Sequence, residues 1–166
     1  MSLDNKTGIN VSGSGFSGRI EMWQGGLELI KKWPSPNGLE LNLKNLRPLI
    51  GYGPDTYIYL YPQTISPQRE IVLSSHPHNL ILQILIELGL LGFITFSSII
   101  IITFLIILEL LKETKYSYSF KSLLIIAVFT GLLSHLVEQM TGLGVTSDSL
   151  LFWVLISLVF VLAINK

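Results

Sequence analysis

The run Leu88–Leu108, LGLLGFITFSSIIIITFLIIL, carries no formal charge over twenty-one residues. The hydrocarbon core of a bilayer is about 30 Å thick and takes roughly 20 apolar residues in helical form, so this run predicts a membrane-spanning helix. The apolar pattern begins earlier, at Leu80, and extends the predicted helix to about Pro77–Leu111. At ~1.5 Å per residue that is about 50 Å, so one end should stand clear of the membrane. Two shorter apolar runs follow, about 122–140 and 149–165. The fold class expected is an α-helical integral membrane protein with three transmembrane helices, at about 79–111, 122–140 and 149–165.

Composition agrees. Only 13% of the residues are charged, against roughly 25% in an ordinary soluble domain, and the mean hydropathy is +0.58. The deficit is uneven: residues 1–78 hold thirteen of the twenty-two charged side chains and 79–166 hold nine. The chain therefore divides into a polar segment and a lipid-adapted one. A net charge of zero argues against a nucleic-acid partner, because phosphate backbones are bound by clustered Lys and Arg. Without cysteine, thiol catalysis and Cys-ligated zinc are excluded.

Charge also orients the spans. Lys112, Lys115 and Lys121 lie between the first two, Lys166 ends the chain, and the link Gln139–Asp148 has no Lys or Arg. Positive loops stay cytoplasmic, which puts the C-terminus inside and residues 1–78 outside. The seven Lys and Arg of that segment do not oppose this, since the rule weakens for long loops. Met1–Phe16 offers no hydrophobic signal core to translocate the segment. The expectation is that further membrane helices of the same protein precede this chain, and that 1–78 is the latter part of an extracytoplasmic loop.

Within that segment, 1–18 has linker composition, with SGSGFSG at Ser12–Gly18. Arg19–Trp33 (RIEMWQGGLELIKKW), stopped by Pro34, reads as an amphipathic helix whose apolar face is Ile20, Trp23, Leu27 and Ile30. Pro34–Pro48 reads as loop, Leu49–Pro54 as a turn after a short apolar run, and Tyr57, Tyr59 and Tyr61 alternate as in a strand. The Gly51-Tyr52-Gly53 triplet is no nucleotide loop, lacking the third glycine and the following helix.

The polar residues that could do chemistry gather at the outer ends of the first two spans. His76-Pro77-His78-Asn79 precedes the long helix, with Pro77 suited to a first helical position and His78 in the first turn. Asn79, Gln83 and Glu87 then fall on one face at i, i+4 and i+8, a stripe too polar for lipid. Gly89 and Gly92 would admit another helix closely. On the second span Ser134, His135, Glu138 and Gln139 lie at the same predicted depth. Ionisable residues within membrane helices are costly and mark function or an internal partner. Two readings stand: an outward-facing polar site, or a hydrogen-bonded patch that holds helices together.

His78-Asn79, nine residues, then Gly89-Leu90-Leu91-Gly92 resembles the HN-x9-G-x-x-G signature of bacterial O-antigen ligases and polymerases. Arg19-x-x-x-Trp23 and Arg47-Pro48-Leu49-Ile50-Gly51-Tyr52-Gly53-Pro54, in this order ahead of a long apolar helix, are similar to the large external loop of that family. The resemblance implies a membrane glycosyltransferase of lipopolysaccharide or polysaccharide biosynthesis in the bacterial cytoplasmic (inner) membrane. Such proteins move a glycan from an undecaprenyl diphosphate carrier to a lipid or glycan acceptor hydroxyl on the outer side, with no metal or other cofactor. The family has roughly a dozen membrane helices, so three alone are not expected to be active. By carry-over, His78 is the catalytic base, with His76 second; histidine as a residue type suits base work near neutral pH. Arg19, then Arg47, are the candidate binders of the donor diphosphate, which suits the bidentate guanidinium fork; Arg69 follows by proximity. Asn79 and Glu87 complete the candidate substrate site, Glu87 by orienting a histidine or a neighbouring helix. A transporter or flippase, or a non-catalytic membrane interaction protein, would account for intramembrane Glu and His as well. Neither needs the Arg19–Trp23 helix or an irreplaceable His-Asn pair.

Overall fold

The structure is a computed structural model that describes residues 16–35, 44–64, 76–114, 119–140 and 146–164. Every regular element among them is helical: α1 (Phe16–Lys32), α2 (Arg47–Ile50), α3 (Tyr57–Leu60), α4 (Leu80–Thr114), α5 (Phe120–Gln139) and α6 (Thr146–Ile164). Two helices are long and apolar enough to cross a membrane, Leu80–Glu113 and Phe120–Gln139, and Leu150–Ile164 forms a shorter apolar helix.

The long helix is broken. Gly89 sits at φ 67° and ψ −165°, outside any helical conformation, so α4 is two half-helices, 80–88 and 90–114, rather than the single rod that its apolar pattern suggests. The break divides the protein into two hydrophobic clusters. The second half-helix contributes Ile107 and Leu110 to a core with Ile125, Val128 and Leu132 of α5 and Phe152, Ile156 and Val159 of α6. The first half contributes Leu82 and Ile86 to a separate core with Met22 and Leu29 of α1 and with Tyr57, Leu60 and Tyr61. Outward-facing Leu and Ile line the bundle, with Ile101, Leu105, Leu123 and Leu150 all exposed, as lipid contact requires. Within the bundle the buried Thr103 hydroxyl is satisfied by the Ile99 carbonyl at 2.8 Å, the local back-bond open to Thr in a helix. A reciprocal Ser119–Ser122 capping box starts α5, occupying two backbone N–H groups that no helical turn could satisfy.

Helix α1 forms where its period predicts, but it is rotated from the expected face. Met22, Gly26 and Leu29 are its buried positions, Trp23 and Ile30 are half-buried, and Ile20 and Leu27 are exposed. Glycine decides the rotation. A Cβ on Gly25 would come within 2.6 Å of the Tyr61 ring, and one on Gly26 within 3.3 Å of Ile86. The Gly25–Gly26 edge, carrying no side chain, is where α1 can approach its neighbours most closely. The tyrosines are not a strand either. Tyr57 starts α3 and Tyr61 starts the 3-10 turn Tyr61–Gln63, and four residues apart they share a face. Their rings stack at 5.3 Å, both buried, while Tyr59 points away at 75% exposure. Burial raises the Tyr57 phenol well above its ordinary value, and its hydroxyl donates to the Met22 carbonyl at 3.1 Å, fastening α3 to α1.

Candidate functional site

The site is assembled around the entry to α4. Pro77 is buried and His78 half-buried. His78 adopts a left-handed backbone, φ 50°, which a residue other than glycine takes up only at a cost. That conformation cannot join a right-handed helix, so α4 begins at Leu80, and Pro77 and His78 precede it rather than forming its first turn. Asn79 serves as the N-cap: its Oδ1 accepts the Leu82 N–H at 3.0 Å, satisfying one of the donors left over at a helix start. The Asn79 carbonyl accepts Gln83 N–H at 3.0 Å. The structure thus gives the side-chain oxygen of Asn79 a capping partner.

From the other side, the Trp23 indole N–H donates to the His78 carbonyl at 3.3 Å. This contact spans fifty-five positions of sequence and joins α1 to the His-Asn pair. Arg19 lies four residues before Trp23 and so on the same face of α1, half-buried. Below the pair runs a polar chain. Gln83 Nε2 contacts His76 Nδ1 at 3.2 Å and donates to Glu87 Oε2 at 3.4 Å. Glu87 itself is only 6% exposed. The stripe at 79, 83 and 87 therefore faces protein. Gln83, which carries no chemistry of its own, links a half-buried histidine to a buried carboxylate, and only the i, i+4 spacing hinted at it.

Next to Glu87 the break in α4 is closed by another part of the chain. The carbonyls of Ile86 and Glu87, which lose their helical partners at Gly89, accept Tyr52 N–H at 2.9 Å and Gly53 N–H at 2.8 Å. Gly51 and Gly89 face one another here. A Cβ on Gly51 would meet the Glu87 carbonyl at 2.4 Å, and one on Gly89 would meet the Gly51 nitrogen and the Leu49 carbonyl at 2.5 Å. So Gly89 admits the end of the short helix α2 and the turn that follows it, and the nearest atoms to Gly92 belong to Leu88 one turn before it.

Arg47 belongs to this second layer. Its guanidinium lies 4.6 Å over the Tyr52 ring, within cation–π range, and one N–H reaches the Gly51 carbonyl at 3.5 Å. Trp33 stacks on the same tyrosine at 5.4 Å. Burial pushes the Tyr52 phenol up to about 12 despite the pull of Arg47, and its hydroxyl donates to Pro34 O at 2.7 Å. Arg47 is thus tied to the loop that meets Ile86 and Glu87, and its two contacts here are with Gly51 and Tyr52. Arg69 lies outside the described residues.

His135 takes no part in these contacts. It is 9% exposed, its ring stacked on Phe152 at 5.1 Å. It lines a cavity of about 90 Å³ with Leu80, Phe96, Leu136, Gln139, Phe152 and Trp153. Leu80 in that lining puts His135 and Gln139 at the same end of the bundle as the His-Asn pair. Ser134 and Glu138 are exposed.

Residues 40–97 match the family model described as O-antigen ligase. No curated protein and no solved structure matches the chain. The matched stretch contains the loop at 51–53, the His-Asn pair and the broken half-helix that the loop completes, which are the parts the structure interlocks. Over these residues, about a third of the chain, the protein is similar to the O-antigen ligase family.

Proposed function

We propose that this protein transfers a glycan from an undecaprenyl diphosphate-linked donor to an acceptor hydroxyl, with His78 as the base. The observation that carries the reading is the Trp23–His78 contact, which draws the Arg19-x-x-x-Trp23 helix onto the His-Asn pair at the mouth of a membrane helix. A histidine and an arginine gathered there suit a reaction whose donor has a lipid tail and an anionic head. His78 takes the proton from the acceptor hydroxyl as that oxygen bonds to the anomeric carbon of the donor sugar. The bond from that carbon to the diphosphate oxygen breaks with both electrons, leaving undecaprenyl diphosphate, whose charge Arg19 holds in its guanidinium fork. The capping role of Asn79 fixes where α4 starts and hence where His78 stands. The His76–Gln83–Glu87 chain holds the floor beneath it, and Arg47 is the second cation, displaced toward the loop at 51–53.

Arg19→Ala should abolish transfer while leaving the protein inserted and folded, and Arg19→Lys should restore little, because a point charge does not reproduce the fork. Transfer from purified donor, measured beside thermal unfolding, checks this; full activity of a folded Arg19→Ala protein removes the assignment. A transporter would tolerate both changes.

The orientation is proposed with the reaction. These 166 residues hold no cysteine, so a single cysteine introduced among them reports its own position. Ser66→Cys should react with an impermeant thiol reagent in intact cells, and Ser117→Cys should be shielded until the membrane is opened. The reverse pattern would put the site on the cytoplasmic side.

A further inference from the structure

From the loop that plugs the break in α4, we infer that α2 and its flanks form a wedge inserted into the outer leaflet of the bilayer, with Leu46, Leu49 and Ile50 among the acyl chains. The inference rests on α4 crossing the membrane and not on the transfer reaction.

Depth comes first. Between the break at Gly89 and the first charged residue, Glu109, lie the nineteen residues Leu90–Leu108. At ~1.5 Å per residue they span about 28 Å, close to the ~30 Å of hydrocarbon. Gly89 therefore stands at the outer boundary of the hydrocarbon. The plugging loop is held at that level by backbone contact: the Leu49 carbonyl and the Gly51 nitrogen abut Gly89, and Tyr52 and Gly53 bond to the carbonyls of Ile86 and Glu87.

Composition and exposure follow. Helix α2 buries none of its residues. Leu46, Leu49 and Ile50 are 46%, 41% and 45% exposed, three large aliphatic side chains on a segment of five residues. The Leu49 backbone meets Gly89, whose neighbours along α4, Leu88, Leu90, Leu91 and Ile94, are exposed to a similar degree and open the lipid-facing band of α4. The patch is thus anchored at the start of a surface suited to lipid. Its polar edge is of the kind that borders hydrocarbon: the Arg47 guanidinium on the Tyr52 ring, and Trp33 stacked beyond. Trp and Tyr concentrate at membrane interfaces, and arginine extends its charge to the phosphate level while its stem stays among apolar groups. Lipid would otherwise meet backbone groups freed by the break, and these are already paired by the loop, which is the condition for irregular backbone at this depth.

The test uses spin labels on single cysteines at Leu46→Cys, Leu49→Cys and Ile50→Cys, with the protein reconstituted in phosphatidylethanolamine–phosphatidylglycerol vesicles free of polyprenyl lipid. Ile102→Cys, mid-span and exposed, is the lipid reference, and Gln63→Cys, exposed, the reference outside the span. Collision with dissolved oxygen reports acyl chains, and collision with a water-soluble nickel chelate reports water. The ratio of oxygen to nickel accessibility at 46, 49 and 50 should exceed that at 63 severalfold and approach that at 102. Nickel accessibility equal to that at 63 places the patch in water and overturns the inference. Low accessibility to both places it under another protein segment and overturns it equally. Three label sites guard against one variant that fails to fold.

Discussion

His78→Ala is expected to reduce glycan transfer by at least about 10²-fold, the lower end of what a positioned base contributes. Expression, unfolding temperature and donor binding should change little. His78 is half-buried, and its backbone carbonyl accepts the Trp23 indole N–H, a contact that alanine retains. His76→Ala should be milder. Its ring is held by Gln83, in the chain that ends at Glu87, and its loss loosens the floor of the site without removing the base. His135→Ala separates chemistry from packing: it empties a stacking position against Phe152, so its defect should be in thermal unfolding, with activity per folded molecule retained. The measurement, made on the complete protein, is the transfer rate from purified undecaprenyl diphosphate donor with unfolding followed in parallel. Near-normal transfer by His78→Ala, or a loss accounted for by unfolding, would reduce this histidine to a structural role.

Gly51→Ala and Gly89→Ala are each expected to destabilise the protein by at least about 3 kcal/mol, the range of the most damaging single substitutions. Two penalties coincide. At φ 70° and ψ −164° for Gly51, and φ 67° and ψ −165° for Gly89, the backbone is in a region essentially confined to glycine. Each new methyl would also stand 2.4–2.6 Å from backbone atoms of the facing segment, and backbone cannot rotate out of the way as a side chain can. Relieving the overlap means withdrawing the loop, which takes the Tyr52 and Gly53 N–H groups away from the Ile86 and Glu87 carbonyls. The consequence should reach function, because the first half-helix carries Asn79, Gln83 and Glu87. Gly131→Ala is the control. In the regular helix α5 its Cβ would meet only the end of Leu155 at 3.4 Å, and alanine is the better helix former, so it should be neutral or slightly stabilising. Unfolding in detergent ranks the three; a Gly89→Ala protein as stable as Gly131→Ala would show that the loop does not close the break.

What could be read from the linear chain rests on short-range physics. The charge-free run at Leu88–Leu108 must be helical in lipid, because only a helix satisfies its own backbone there. The segment ending at Pro34 has the helical period and a proline stop, and it forms α1. The spacing of Asn79, Gln83 and Glu87 puts them on one face in any helix. The order of the three motifs by itself resembles that of the O-antigen ligase family. Tertiary structure decided the rest. Alternation of Tyr57, Tyr59 and Tyr61 fits a strand as well as a helical turn, and only burial of the first and third against α1 selects the turn. The face of α1 followed glycines that let it close on Tyr61 and Ile86, so its large aliphatics did not all turn inward. Gly89 announces that something approaches, but a missing side chain carries no record of what. Its partner Gly51 lies thirty-eight residues away, and backbone-to-backbone contacts leave no periodic trace. For the same reason the His-Asn pair was legible as a motif. Its meeting with Trp23, and the left-handed turn that holds His78 outside the helix, exist only in the folded chain, where a distant indole reaches a carbonyl that no local pattern marks.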